Sequence, residues 1–243
     1  MKWLEWLLNK LDNGGVSVTV KTCEEHKKEL DQWKSDFNKA IEIGNKLKEE
    51  IEKLQQELKK EKELNQQEEY WNSKRPKKLV TWKARNDVNM DVRCFFQVDG
   101  TLPKFTGTND EIVSDVLANV ITNIRYVSEK KEHWKYAYET LKDKYGDCED
   151  GAILMAGMIL NSNVPYWRIR LNKGFVKFQD GKKGYHCFLT YLAEKDNEWK
   201  IVDWCYWPEE STDLKRSWKD AEKYFEPDAS WNSEFAFVGL NKE

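Results

Sequence analysis

The spacing of apolar residues changes twice along this chain, and the changes divide it. Trp3, Leu4, Leu7, Leu8 and Leu11 recur at intervals of three and four until Asn13-Gly14-Gly15. That spacing predicts an amphipathic helix over residues 1–15. Its polar face carries few Lys or Arg, so packing against another helix or subunit is expected ahead of an anionic membrane surface. From Cys23 to Glu69 the chain turns to Glu, Lys and Gln, with no Pro and a single Gly at 44. Apolar residues there fall on a seven-residue repeat: Cys23, Leu30, Phe37, Gly44, Ile51 and Leu58 at position a, and His26, Trp33, Ala40, Leu47, Leu54 and Glu61 at position d. Leu47, Ile51, Leu54 and Leu58 keep the alternating four-three step of a left-handed supercoil, so residues 22–70 are expected to form a coiled-coil helix. Such a helix would reach roughly 70 Å at ~1.5 Å per residue. It cannot bury its seam alone. Another copy, a different protein, or the Trp-rich N-terminal helix folded back would each serve, so a homo-oligomer or partner protein is expected on residues 22–70.

Residues 71–78, with Pro76 among basic neighbours, are expected to be a linker. Residues 79–243 read as one α+β domain. Val88, Met90, Val92, Cys94, Phe96 and Val98 alternate as in a half-buried strand. Thr108-Asn109-Asp110-Glu111 is a capping box ahead of an amphipathic helix from Ile112 to Ile124. A second helix is expected from Lys131 to Lys144, and a third, apolar nearly all round and therefore buried, from Cys148 to Leu160. After Pro165 the period becomes two. Tyr166–Leu171, Lys183–Leu192 and Glu198–Trp204 read as strands joined by turns at Asp180-Gly181 and Asp196-Asn197. Helices followed by antiparallel strands define the α+β class.

Composition narrows the function. Forty Lys+Arg stand against 43 Asp+Glu, a net charge of −3, which disfavours nucleic-acid binding driven by global charge. Hydrophobic residues make up 40% of the chain and include twelve Trp, enough for a substantial core. The five cysteines form no CxxC pair, so neither a disulfide framework nor a zinc ribbon is indicated, and a reducing, cytoplasmic compartment is the simpler expectation. No signal peptide and no transmembrane segment are expected.

Cys148 carries the candidate chemistry. It lies in Gly146-Asp147-Cys148-Glu149-Asp150, directly before the most apolar helix, where unpaired N–H groups and the helix dipole favour thiolate over thiol. A thiolate beside a base is a nucleophile. Of the three His, His26 falls in the heptads and His133 among Lys and Glu, whereas His186 lies on an expected strand. Asp203 lies on the next strand, so carboxylate can orient imidazole and imidazole can pair with sulfur. Alternation points Cys187 away from His186 and puts Cys205 on the face of Asp203. The same letters suit a buried Cys, a His satisfied by a carbonyl and a surface Asp. A zinc site on Cys148, His186 and Cys205 lacks paired-ligand spacing, so no metal is expected. Asp150, one turn into the helix, is expected to support the helix start or pair with a basic group.

The segment from Trp134 to Arg170 resembles the core of the transglutaminase-like superfamily. Glu139-Thr140-Leu141, Tyr145-Gly146-Asp147-Cys148-Glu149-Asp150-Gly151-Ala152 and Asn163-Val164-Pro165 carry the likeness. It is nearest the short bacterial and phage forms called bacterial transglutaminase-like cysteine proteases. Gly184-Tyr185-His186-Cys187-Phe188-Leu189 and Trp199-Lys200-Ile201-Val202-Asp203 stand where that family places its His and Asp. The resemblance covers roughly residues 79 to 207. It implies a papain/transglutaminase-like core of helices on an antiparallel sheet, and a Cys148-His186-Asp203 triad acting on peptide or side-chain amides without a cofactor. It leaves open water or an amine as acceptor, and a second role as a catalytically silent assembly module, virion-associated in a phage. Gly151 and Cys187 depart from the family's usual residues in the walls of the site. Trp134 matches a recurrent Trp that supplies either an oxyanion N–H or core packing.

Overall fold

The computed structural model describes residues 23–73, 77–177, 182–205 and 224–238. The expected helix over residues 1–15, the break at Pro76 and the turn at Asp180-Gly181 lie outside them. The chain divides into two compact units, Met1–Asn65 and Gln66–Glu243.

Helix α1 (Cys23–Ser73, 51 residues) provides the described part of the first unit. Its solvated sides carry i,i+4 ion pairs such as Lys46–Glu42 at 2.7 Å, and Trp33 stacks on Phe37 with centroids 5.3 Å apart. The heptad residues Leu47, Ile51, Leu54 and Leu58 are each more than half exposed.

The second unit begins inside α1, which corrects the expected linker. Trp71, Asn72 and Ser73 are helical, and Trp71 and Asn72 are buried. The Trp71 ring meets Trp199 edge-on at 5.8 Å, and its carbonyl accepts a hydrogen bond from Arg170 Nη2 at 2.9 Å. Gln67 and Asn72 bond Arg168 and Tyr166 in the same region. This end of the helix is therefore fixed by packing, which outweighs the basic composition that followed it in the sequence.

Among the described residues of this unit, three helices pack together, and the last of them lies on one face of a sheet. They are α2 (Asn109–Asn123), α3 (Ala137–Asp143) and α4 (Cys148–Asn161). The five-stranded antiparallel sheet comprises β5 (Ile169–Lys177), β6 (Lys183–Leu192), β7 (Trp199–Val202), β8 (Tyr224–Trp231) and β9 (Ala236–Val238), in the order β7-β6-β5-β8-β9. Two small pairs complete the set: β1 (Thr81–Arg85) with β2 (Val88–Asp91), and β3 (Arg125–Tyr126) with β4 (Tyr145–Gly146). Leu171, Leu189, Tyr191 and Val202 meet α4 in the main core. Period-two alternation sends Arg170 to the other face, where its guanidinium lies over Trp199 and Phe237 at 4.5 and 4.8 Å. No helix among the described residues is long and apolar enough to cross a membrane.

The capping box holds as expected, with Thr108 and Glu111 exchanging hydrogen bonds at the start of α2. Three local expectations fail. The alternation from Val88 to Val98 is not one strand, because Asp91 accepts the Arg93 N–H at 3.0 Å and starts a 3₁₀ turn over Val92–Phe95 that buries Phe95. The helix expected from Lys131 begins only at Ala137, since the Trp134 N–H is taken by the Ala84 carbonyl at 2.7 Å and the Lys135 N–H by Asp150 at 2.7 Å. Tyr166–Arg168 is a 3₁₀ turn, and the strand starts at Ile169.

Candidate active site

Residue Cys148 occupies the first turn of α4, after the N-cap Asp147. Burying eleven consecutive residues, Glu149 to Ile159, fixes this helix in the core, and the sulfur is carried at its N-terminal end. His186 lies near the start of β6 and Asp203 directly after β7, brought together by the antiparallel register Leu189↔Val202. His186 Nε2 is 2.8 Å from Asp203 Oδ2, and both residues are buried. Asp203 Oδ1 accepts the Cys205 N–H at 3.0 Å, so both carboxylate oxygens are engaged and the ring orientation is fixed. Phe188 stacks on the imidazole at 5.9 Å. Cys187 turns to the core face with Leu189.

Cys148 and His186 border one cavity of about 240 Å³. Trp134 forms part of its wall. Its indole N–H donates to Glu132 at 2.8 Å and its ring stacks on Trp231 at 5.8 Å. Glu132 accepts a second indole N–H, from Trp82, at 2.9 Å. Lys173 enters the same wall with its ammonium 3.4 Å from the Trp82 ring centre and 4.3 Å from that of Tyr185, paired to Asp228 at 3.4 Å.

The remaining wall is acidic, and this corrects the expectation of a lowered thiol pKa. Cys148 Sγ donates to Glu149 Oε2 at 3.0 Å. Burial first, then the charge of Glu149, pushes the thiol well above its ordinary range. The helix N-terminus favours thiolate, but desolvation and the adjacent carboxylate act the other way and dominate. Glu149 is itself raised well above the ordinary carboxylate range, by burial and by Asp147. Burial also raises Asp147 and Glu129. Asp150 is pushed up to about 7 by burial, although it accepts the Lys135 N–H. Asp147 Oδ1 and Glu129 Oε2 are buried without a hydrogen-bond partner.

Trp204 belongs to the site and was not picked out from the sequence. Its Nε1–H donates to the Cys148 carbonyl at 3.3 Å, and its ring fills the space beside Gly151, where a Cβ would lie 2.1 Å from the indole. Residue 151 is glycine where an indole from the following strand end occupies the volume that a side chain would need. The adjacent letters Asp203-Trp204 were the available signal. His186, Asp203 and Cys205 offer ligand atoms within 4.8 Å of one another, with His186 Nε2 and both Asp203 oxygens engaged in hydrogen bonds.

His186, backed by the buried Asp203 carboxylate, lines the same cavity as the helix-start thiol of Cys148, and these are the residue types that thiol acyl transfer requires. No family model and no curated protein matches the chain. Among solved structures it is similar to Legionella pneumophila LapG, at 19% identity over 56% of this chain and 71% of that one, with a TM-score of 0.45. Calcium-bound LapG gives 18% identity, coverage of 58% and 74%, and a TM-score of 0.46. A Cytophaga hutchinsonii protein provisionally described as a cysteine protease gives 17%, 65% and 58%, and 0.32.

Proposed function

We propose that the Gln66–Glu243 unit is a thiol acyl-transfer enzyme of the transglutaminase-like kind, acting as a cysteine protease or amidase. Cys148 Sγ attacks an amide carbonyl, and its proton passes to His186 and then to the departing amine. The resulting thioester is cleaved by water, which regenerates the thiol. Because Asp203 holds Nε2, proton exchange runs through Nδ1. The observation that carries this reading is His186, held by the buried Asp203 carboxylate at 2.8 Å, on a cavity it shares with Cys148. The raised thiol pKa means that proton removal accompanies attack, rather than a resting thiolate awaiting substrate. A peptide carrying an electrophilic warhead tests the assignment. Labelling should fall on Cys148 and drop at least a hundredfold in His186→Ala. Labelling indifferent to His186 refutes the assignment, and no labelling at any pH returns the chain to the assembly-module reading.

The unpartnered oxygens of Asp147 and Glu129 favour one addition to the same site. Ligand atoms of Asp147, Cys148 and Glu149 lie within 4.8 Å of one another. A donor set with two carboxylates of this kind suits a hard divalent cation such as calcium, with Asp147 and Glu149 as its ligands. A bound cation would neutralise the charge that holds the thiol protonated. Added calcium should therefore raise the melting temperature and speed Cys148 alkylation, whereas equal values in calcium and in chelator remove the cation from the reading.

A further inference from the structure

We infer that the first unit's helix pairs with a second copy of this chain as a parallel, in-register, two-stranded coiled coil. Two observations carry this independently of any enzymatic role. The first is the exposed seam: Leu47, Ile51, Leu54 and Leu58 are 53%, 54%, 56% and 51% exposed, and Leu30, Trp33 and Phe37 continue the a and d positions, also exposed, toward the start of the helix. Ile at a with Leu at d on either side is the combination that favours two strands.

The second is the charge flanking the seam. With Cys23 at position a, the charged e positions are Lys27, Lys34, Lys48 and Lys62, with Ile41 and Gln55 between them, whereas the charged g positions are Glu29, Asp36, Glu50 and Glu57, with Ile43 and Leu64 in the other two. The signs are segregated. In a parallel, in-register pair each g residue faces the e residue five positions on in the partner. That sets Glu29 against the partner's Lys34, Glu57 against the partner's Lys62, and Glu50 against the partner's Gln55, each twice by symmetry. In an antiparallel pair e faces e and g faces g, so lysines would meet lysines and carboxylates would meet carboxylates. Like-charge juxtaposition of that kind selects against the orientation. The charge pattern fits a copy of this chain without requiring a complementary sequence from another protein.

Sedimentation equilibrium of the full chain tests the pairing. The expected mass is twice the chain's 28.9 kDa. Glu29→Lys with Glu57→Lys turns four interhelical attractions into repulsions, each changing the equilibrium by about fivefold, so the dissociation constant should rise about a hundredfold or more. Adding Lys34→Glu and Lys62→Glu to the same chain should restore it, because parallel pairing again sets opposite charges together. These residues are solvent-exposed, so the variants are expected to keep their fold. Orientation is read separately by Leu54→Cys. In parallel register the two thiols adjoin and oxidise to a covalent dimer beyond any formed by the parent, whereas in an antiparallel pair centred on Gly44 they would lie about 30 Å apart. A monomeric chain at tens of micromolar, a larger assembly, a charge swap that fails to restore association, or no Leu54→Cys cross-link would each overturn the proposal.

Discussion

Replacing Gly151 with alanine probes how the strand end that carries Asp203 is locked to the helix that carries Cys148. The added Cβ would lie 2.1 Å from Cε2 and Nε1 of Trp204 and 2.6 Å from Cζ2. Carbon contacts settle at ~3.5–4.0 Å, so the indole must retreat by about 1.5 Å. It has little room, being 5% exposed, bonded through Nε1 to the Cys148 carbonyl, and packed on Tyr126 with centroids 5.7 Å apart. Overpacking of this kind costs about 1–3 kcal/mol, and the strained or lost hydrogen bond adds about 1 kcal/mol. Gly151→Ala should therefore lower the unfolding free energy by about 3 kcal/mol in urea melts followed by tryptophan fluorescence. Trp204 adjoins Asp203 in sequence and Cys148 in space, so turnover should fall by at least about tenfold in the population that remains folded. Trp204→Leu removes the clash along with the indole. In a double-mutant cycle the two substitutions should couple by more than about 1 kcal/mol, the pair being less destabilised than the sum of its members. A Gly151→Ala protein within about 0.5 kcal/mol of the parent, or strictly additive substitutions, would refute the packing argument.

Three further outcomes follow from the site and its boundary. Asp203→Asn should fold and retain reduced turnover, because Asn keeps an acceptor for the Cys205 N–H while losing the charge that stabilises an imidazolium; a parent-like rate would show that the carboxylate has another role. Glu149→Gln should speed alkylation of Cys148 near pH 7 and move its pH profile to lower pH, since the charge and hydrogen bond of Glu149 both hold the thiol up; each unit of downward shift is worth about tenfold in thiolate, and an unchanged profile measured in chelator would remove Glu149 from the thiol's control. A chain starting at Gln66 should be as stable as the full-length second unit, whereas one starting at Lys78 should lose about 3–5 kcal/mol with the buried Trp71 ring and the acceptor it gives Arg170; equal urea midpoints for the two truncations would return the boundary to the linker expected from sequence.

What was legible in the sequence is what short-range physics decides. The capping box at Thr108 and Glu111, the unbroken apolar run of α4 and the alternation of β6 each determine their element within a few residues. Strands β8 and β9 were not legible, because β8 exists through its pairing with β5, more than fifty residues earlier in the chain, and contains Pro227, which local rules read as a strand breaker. The 3₁₀ turn after Asp91 was hidden for a related reason: alternation describes which side chains are buried, but the Asp91 carboxylate redirects the backbone that presents them.

The thiol shows the same limit at the level of charge. Its place at a helix start could be read from Gly146-Asp147-Cys148, and that position alone argues for a thiolate worth about 1 kcal/mol of dipole stabilisation. Nothing local in sequence reports that Glu149 folds back onto the sulfur, that Glu129 arrives from another segment, or that the surroundings are dry enough to raise the thiol and those carboxylates together. Desolvation first, and then the neighbouring charge, both act against the dipole and push the thiol up in the resting state. The same arithmetic makes that state responsive, since any cation or substrate group that offsets the Glu149 charge releases the thiol to His186. Under the proposed acyl-transfer role, the acidic cluster around Cys148 would hold the thiol in reserve while leaving the His186–Asp203 pair assembled.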